Sequence, residues 1–402
     1  MTRGNDLNHY FGRFAVAPQC GISVVVPVRD EAATVRQLLE SFAAQVLSPK
    51  ADPACFEILL LTNNCSDDSA QIIKQFQIET PALPVRLAEV QLPPEQANVG
   101  YVRRVLMDEA YVRLRRNDRG SGIIMSTDGD TVVAPDWIAA NLAEFERGAD
   151  AVGGRILFAE TQLEKMNAAV RALHLIDDCY HLLVAEVEAL IDDLPFDSGP
   201  RHHQHFNASF AITTDAYVRS GGVPHVEFLE DCALYEALKR ADMRVRHSPD
   251  AIVYTSSRQF GRSKVGLAFQ INQWQKLGAQ GKEFLVESAC SIADRFRWKR
   301  ELRKLWNAVW KDGQLPSAVE RIRLADGLSI PRHLLDEGLE QQKPFGELYS
   351  DLIREQAFIG DRDKRYSLEP VDEVVRNLSF EIAKLRNHAV RSQTSSLYAS
   401  AS

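Results

Sequence analysis

No two cysteines in the chain are spaced CxxC; Cys20, Cys55, Cys65, Cys179, Cys232 and Cys290 stand singly. That excludes a zinc knuckle and a thioredoxin-type redox pair, and reads the thiols as small apolar side chains. No GxGxxG follows the first apolar run, so the dinucleotide-binding fingerprint is absent, and no GxxxxGK(S/T) marks a P-loop. A serine nucleophile elbow, GxSxG, is missing too. No apolar run approaches 18 residues and no secretory apolar segment opens the sequence. The expectation is therefore a cytoplasmic protein without a spanning helix, with attachment to a membrane surface left open. Basic excess is also lacking: 47 Lys and Arg face 55 Asp and Glu, a formal net charge of -8. A general nucleic-acid binder would carry a basic footprint.

What the chain does have is ordinary globular composition over 402 residues, 45% of them hydrophobic, enough for one large domain with an appendage or for several domains. GISVVVPV (21–28), FEILLLT (56–62), VRLAEV (85–90) and SGIIMST (121–127) are short, β-branched or aliphatic runs of buried-strand type. Between them lie helical patterns. In 29–45, Val35, Leu38, Leu39 and Phe42 fall on one stripe, with Asp30 as the expected N-cap. A helix through Ile72, Ile73 and Phe76 is expected to be capped by Ser66 or Asp67, and 98–114 reads as a third helix. Alternating strands and helices predict a mostly parallel sheet flanked by helices. Ligands of such sheets bind beyond the carboxyl ends of the strands. Asp30, Glu31, the polar turn 63–69, Asp128 and Asp130 all lie there.

Further on, 137–145 reads as a helix, 150–158 as a strand, and roughly 161–190 as a long helical stretch. Residues 201–222 read as a polar segment, a strand and a short helix ending in glycines. A helix follows the carboxylate pair Glu230-Asp231, and 243–258 closes with a strand. Residues 1–19 read as an arm, 20–260 as the α/β domain, 261–390 as a mainly helical C-terminal extension, and 391–402 as a disordered polar tail.

The stretches VVVPVRDEAATV (24–35), ILLLTNNCSDDS (58–69), MSTDGDTVV (125–133), NASFAITTDAYVRSGG (207–222) and FLEDCALYEAL (228–238) resemble, in order, the motifs of family 2 glycosyltransferases with the GT-A (nucleotide-diphospho-sugar transferase) fold. The resemblance covers roughly 20–260. It implies an enzyme that moves a sugar from a nucleotide-diphosphate sugar to an acceptor hydroxyl with inversion, with Mn²⁺ or Mg²⁺ as cofactor. Pro27 and Glu31 match the loop that holds the nucleotide base. Asn63 and Asn64 stand where the family commonly has an acidic turn that contacts uracil, which weakens an assignment of UDP. Asp128-Gly129-Asp130 matches the metal-binding DxD, with Asp130 as first metal ligand and Asp128 on the ribose or on the metal through water. Glu230-Asp231 matches the ED pair, whose aspartate is the base of inverting members. Asn207 matches the acceptor-side segment. The QxxRW element of processive synthases is not evident; INQW (271–274) lacks the arginine.

Each residue also has a plainer reading. Asp128-Gly129-Asp130 could be a simple strand-to-helix turn, and Glu230-Asp231 a charge–dipole cap. Arg103 and Arg104 either approach the diphosphate or form a solvated pair. Arg258 and Arg262 sit in a basic loop that could close over the diphosphate. In HHQH (202–205), His203 and His205 would share a face of an extended strand, in an acceptor-side or lid role or in a polar loop; structural zinc is the weaker reading. Trp298, Trp306 and Trp310 in 291–311 fit either contact with an anionic membrane surface or an amphipathic helix packed on the protein. The pattern at 371–388 fits the same bundle or a homo-oligomer contact. The competing functions are a retaining transferase on the same scaffold, a metal-dependent nucleotidyltransferase and a non-catalytic nucleotide-sugar-binding subunit.

Overall fold

The computed structural model describes residues 10–47, 55–116, 121–256, 266–280, 282–314 and 316–400. The chain divides into two compact units. One comprises Met1–Met166, Gln204–Leu238 and Met243–Asn272; the other comprises Asn167–His203, Lys239–Asp242 and Gln273–Ser402.

The first unit begins with strictly alternating elements: β1 (Ile22–Val28), α1 (Val35–Ala43), β2 (Phe56–Asn63), α2 (Ser69–Glu79), β3 (Val85–Val90), α3 (Val99–Arg115) and β4 (Ile123–Thr127). It continues with β5 (Thr131–Val133), α4 (Trp137–Glu146), β6 (Ala151–Phe158) and α5 (Glu160–Lys165). After the excursion of α6 (Ala168–Asp192) through the second unit come β7 (Ser209–Thr213), α7 (Thr214–Arg219), α8 (Glu230–Arg240) and β8 (Val245–Thr255). The eight strands form one sheet in the order β3-β2-β1-β4-β7-β6-β8-β5. The β3-β2-β1-β4 half is parallel, as the alternating pattern predicts, and β6 also runs parallel to β8. β7 runs against both its neighbours, and β5 against β8.

β1 and β2 are buried on both faces, which explains why they read as continuous apolar runs rather than alternating ones. Val24, Val26 and Val28 of β1 join Leu38, Leu39 and Phe42 of α1, Ile73 and Phe76 of α2 and Trp137 of α4 in one core. Val25 and Leu59, one residue out of phase, are equally buried on the opposite face, where α3 packs. In β6, Gly154 admits no side chain: a Cβ there would lie 2.1 Å from Ser209 Oγ and 2.2 Å from the Ala251 carbonyl oxygen.

The arm is fastened to this sheet. Arg113 of α3 donates to both carboxylate oxygens of Glu57 (2.8 and 2.6 Å) and, through Nη1, to the carbonyls of Phe11 (3.2 Å) and Phe14 (3.0 Å). Arg13 donates to the Leu87 carbonyl of β3 at 3.1 Å, and β3 is an edge strand. Arg113 and Glu57 are buried to 1% and 3% exposure, with Ser23 Oγ donating to the same carboxylate. Removing one partner strands a charge in the core. Glu57→Ala should therefore lower unfolding free energy by about 3–5 kcal/mol, read as a lower urea midpoint at unchanged slope.

The second unit is mainly helical, as expected for the C-terminal extension. It contains α6, most of α9 (Leu267–Gln280), then β9 (Leu285–Glu287), α10 (Ala289–Trp310), α11 (Ala318–Leu328), α12 (Arg332–Glu340), α13 (Phe345–Ile359), α14 (Asp361–Arg365), β10 (Leu368–Pro370) and α15 (Val371–Ser400). α15 includes residues 391–400, which the polar composition reads as a disordered tail; the segment holds no glycine or proline to stop a helix. Within this unit Tyr180, Val187, Ile292, Phe296, Val374 and Leu378 join α6, α10 and α15 in one core. Phe296 is the aromatic residue of α10 in that core. Trp298 and Trp306 pack on the core of α11, α12 and α13, and Trp306 Nε1 donates to the Lys343 carbonyl at 3.1 Å. Both tryptophans are half-buried and have packing partners within this unit. Among the described residues no helix is long and apolar enough to cross a membrane.

Candidate functional site at the carboxyl ends of the strands

The site lies where β1, β2 and β4 end, and two loops are stitched together there. Asp30 does not cap α1, which starts only at Val35. It takes a left-handed conformation (φ 51°), and its Oδ1 accepts from Ser66 N (2.7 Å) and Ser66 Oγ (3.1 Å). Asp67 holds the other side: Oδ1 accepts from Ser69 N at 3.0 Å, at the start of α2, and Oδ2 from Ala32 N at 2.9 Å. Glu31 N donates to Ser69 Oγ at 2.7 Å. The cap expected of Ser66 or Asp67 is not formed: the N-cap position is Asp68, whose side chain makes no capping bond, and Asp67, one residue earlier, accepts from Ser69 N instead. Cys65 is not simply an apolar filler: its sulfur accepts from Asp30 N at 3.3 Å, and burial pushes its thiol pKa up.

Asp30, Cys65 and Asp67 bring one ligand atom each within 4.8 Å of one another. Two of these ligands are carboxylates already bound to the loop backbone, and the third is a thiol that burial keeps protonated. That set suits a hard cation poorly, since Mg²⁺ and Mn²⁺ prefer oxygen.

The two asparagines at the end of β2 have different environments. Asn64 (φ 50°) extends the ladder with its side chain, donating from Nδ2 to the Leu92 carbonyl and accepting from Leu92 N, both at 3.0 Å. Its amide is committed to the backbone. Asn63 is buried at 4% exposure, and its Oδ1 has no hydrogen-bond partner among the described residues.

The β4–β5 turn carries Asp128, Gly129 and Asp130. Thr131 closes it, donating from Oγ1 to the Asp128 carbonyl at 2.7 Å. Gly129 passes close under the end of β1: a Cβ would stand 3.1 Å from Glu31 Cγ and 3.2 Å from the Pro27 carbonyl. Thr34 Oγ1 lies within hydrogen-bond distance of both Gly129 O (3.2 Å) and Glu31 Oε2 (3.1 Å). The structure therefore brings Pro27, Glu31 and Gly129 together, as their positions in the sequence suggest.

Opposite the turn, α8 begins with Glu230 and Asp231, after Leu229 in a left-handed conformation (φ 57°). The connection to the turn is Arg103. This side chain is 2% exposed. Its Nη2 donates to Asp128 Oδ1 at 2.5 Å, its Nε to Glu230 Oε1 at 3.2 Å, and its Nη1 to Ser126 Oγ at 2.6 Å and the Asn207 carbonyl at 3.5 Å. Arg104 is separate: it faces outward, bonded to His225 and lying 5.1 Å from the Tyr101 ring centroid. Burial, and then the neighbouring Glu230 charge, push the Asp231 carboxyl above the ordinary aspartate range.

The segment before β7 forms the remaining side. Gln204 clamps β6, accepting from Ile156 N at 2.7 Å and donating to its carbonyl at 3.0 Å. His205 stacks on Tyr235, centroids 3.9 Å apart and planes at 12°, one helical turn beyond Asp231. Asn207 is 2% exposed, and neither polar atom of its side chain has a hydrogen-bond partner among the described residues. His203 and His205 do not share a strand face, because β7 starts only at Ser209. His203 instead lies against His181 of α6, ring centroids 4.7 Å apart, in the other unit. Arg258 and Arg262 lie outside the described residues. Ser126, Thr34 and Thr131 were not singled out by the sequence; their roles depend on partners from 3 to 95 positions away, and no local spacing marks them.

Residues 23–175 match the family described as Glycosyl transferase family 2. No curated protein matches the chain. Among solved structures, TarS residues 1–349 of S. aureus with UDP-GlcNAc is 13% identical over 85% of this chain and 92% of that one, with a TM-score of 0.40. The mannosyltransferase PcManGT of Pyrobaculum calidifontis with GDP-Man and Mn²⁺ is 15% identical over 94% and 88%, TM-score 0.40. Glucosyl-3-phosphoglycerate synthase of Mycobacterium tuberculosis is 15% identical over 66% and 84%, TM-score 0.36. Overlaps this loose carry no substrate across.

Proposed function

We propose that the chain, whose residues 23–175 match Glycosyl transferase family 2, is a glycosyltransferase of GT-A type that transfers a sugar from a nucleotide-diphosphate donor to an acceptor hydroxyl with inversion. One observation carries the reading: the Asp128-Gly129-Asp130 turn and the Glu230-Asp231 pair, 100 residues apart in sequence, meet at one buried arginine. Neither a simple turn nor a helix cap requires that meeting.

In this reading Asp130, with Asp128 beside it, offers carboxylate oxygens to Mn²⁺ or Mg²⁺, the hard-donor chemistry those ions prefer. Such an ion supplies charge neutralisation for the departing diphosphate. Gly129 gives the donor a turn without a side chain. Asn63 Oδ1, buried and without a hydrogen-bond partner among the described residues, is the acceptor for an N–H of the base, while Asn64 shapes the pocket through the backbone. Pro27 and Glu31 form the floor beneath Gly129. Asp231 accepts the proton of the acceptor hydroxyl as its oxygen forms the new bond to the anomeric carbon and the diphosphate leaves with the bonding pair. The raised Asp231 pKa makes it a better proton acceptor than an ordinary aspartate. His205 and Asn207 form the acceptor side. Arg104, bonded to His225, has no part in this reading.

A thermal-shift panel of UDP-, GDP-, ADP- and TDP-sugars with and without Mn²⁺ tests the reading. At 100 times Kd a ligand adds about 2.7 kcal/mol to stability, so one base class should raise Tm by several degrees in Mn²⁺ and little without it. No shift with any nucleotide sugar would remove the proposal.

A further inference from the structure

Arg103 stands in the first turns of a helix beside a second arginine, a place from which it could reach toward a diphosphate. Its surroundings point elsewhere. All three guanidinium nitrogens have acceptors within the protein: Nε on Glu230, Nη1 on Ser126 Oγ and the Asn207 carbonyl, Nη2 on Asp128. These four residues come from the start of α8, the end of β4, the segment before β7 and the β4–β5 turn. The helix bearing Arg103 is itself pressed against α8, since a Cβ on Gly100 would stand 3.3 Å from the Val226 carbonyl and 3.4 Å from Glu230 Cβ.

Resting on the reading of Asp130 as donor-side and Asp231 as acceptor-side, we propose that Arg103 is a positioning residue that braces the donor turn against the acceptor helix, and not a ligand of the donor phosphates. One guanidinium holds Asp128, two residues from Asp130, and Glu230, next to Asp231. It thereby sets the separation between the two groups that must act on opposite faces of one anomeric carbon. The planar fork matters as much as the charge. Three nitrogens in a fixed plane reach three directions at once, which a lysine ammonium on a flexible stem does not. The arrangement also explains the otherwise expensive burial of a charge: both carboxylates and the two neutral acceptors are needed to satisfy it.

Two variants of the full-length chain test this, Arg103→Lys and Arg103→Met. The first readout needs no ligand: backbone amide hydrogen exchange over 126–131 and 228–232. Both segments should exchange faster together, in a protein that still unfolds cooperatively. The second is steady-state turnover of the nucleotide sugar and Mn²⁺ found by the panel, expressed per folded molecule. In Arg103→Lys, kcat should fall about 10²-fold, with KM for the donor within about three-fold of wild type, because misplacing reacting groups by about an ångström costs that much. A phosphate ligand would instead raise donor KM ten-fold or more, and a purely structural residue would lower the folded fraction at unchanged kcat; either result overturns the proposal. So does faster exchange in one segment alone or in neither. If Arg103→Met does not fold, Arg103→Lys carries the same comparisons. If the wild-type protein turns over no nucleotide sugar, the transferase mechanism fails, and the exchange arm still decides whether the brace exists.

Discussion

In the Asp130→Ala protein, Mn²⁺-dependent turnover of the donor per folded molecule should fall about 10³-fold. The size follows from what is lost. Pre-organised charge opposite a leaving group typically contributes 10²–10³-fold per interaction, and a divalent ion with its ligands contributes several kcal/mol. Asp130 lies in the half-buried β4–β5 turn, which Thr131 closes by donating to the Asp128 carbonyl, so unfolding is followed alongside and turnover is expressed per folded molecule. Isothermal titration with nucleoside diphosphate checks the cause. Mn²⁺ should strengthen binding to wild type and not to the variant. Wild-type turnover in Asp130→Ala would move the metal off this turn, and the alternative donor set, Asp30, Cys65 and Asp67, would then be tested by Asp67→Asn.

Asp231→Asn should reduce transfer by 10²–10⁴-fold, the ordinary contribution of a positioned general base, while leaving donor and metal affinity within a few-fold. The carboxamide can keep the short-range bond in which Asp231 Oδ1 accepts from Cys232 N at 2.8 Å. The pH dependence has a defined sign. As the proposed base Asp231 works deprotonated, and burial followed by Glu230 raises its pKa. The acid limb of wild-type kcat/KM should therefore lie above the pH of an unperturbed aspartate, near 4, with activity lost as pH falls through it. Stability moves the opposite way. A raised folded-state pKa favours the protonated carboxyl, so its stabilising contribution is complete below the ordinary aspartate pKa and vanishes as pH rises through the raised value. At neutral pH the neutral asparagine should thus leave Tm equal to or above wild type while transfer collapses. NMR of the product's anomeric configuration completes the test: inversion agrees with a single base, whereas retention with undiminished Asp231→Asn activity would exclude it.

Much of the frame is legible in the sequence alone. Strands such as SVVV and ILLL have their apolar character set by burial on both faces, and the stripe of Val35, Leu38, Leu39 and Phe42 reports its own packing. Local patterns fail where a residue's environment is assembled from distant segments. Asp30 looks like a helix cap because it precedes an apolar stripe, but four further residues separate it from α1, and its carboxylate is taken by Ser66 from the next turn. His203 and His205 alternate as strand neighbours would, yet the Gln204 clamp and the stacking on Tyr235 make this stretch an irregular connection. Arg103 is the sharpest case. Adjacent arginines in a helix read as a solvated pair or as phosphate ligands, and nothing within ten residues shows that one is buried and the other not. Its acceptors Asp128 and Glu230 are 25 and 127 positions away. The tryptophans of α10 likewise show an aromatic face from spacing alone, while the partner surface, supplied by residues beyond 318, had to be seen.

The segment of residues 11–14 has a bearing on how copies of this protein behave in concentrated solution. An outermost strand is a template for pairing with another chain. Here Arg13 already occupies the Leu87 carbonyl of that strand, and the guanidiniums of Arg13 and Arg86 flank the Phe14 ring at 4.8 and 5.6 Å from its centroid. The two arginines put charge beside the strand, and Arg113 secures the segment from beneath. A few residues remote from the chemistry thus guard the long sheet against edge-to-edge aggregation, and trimming them would expose that edge without touching the site.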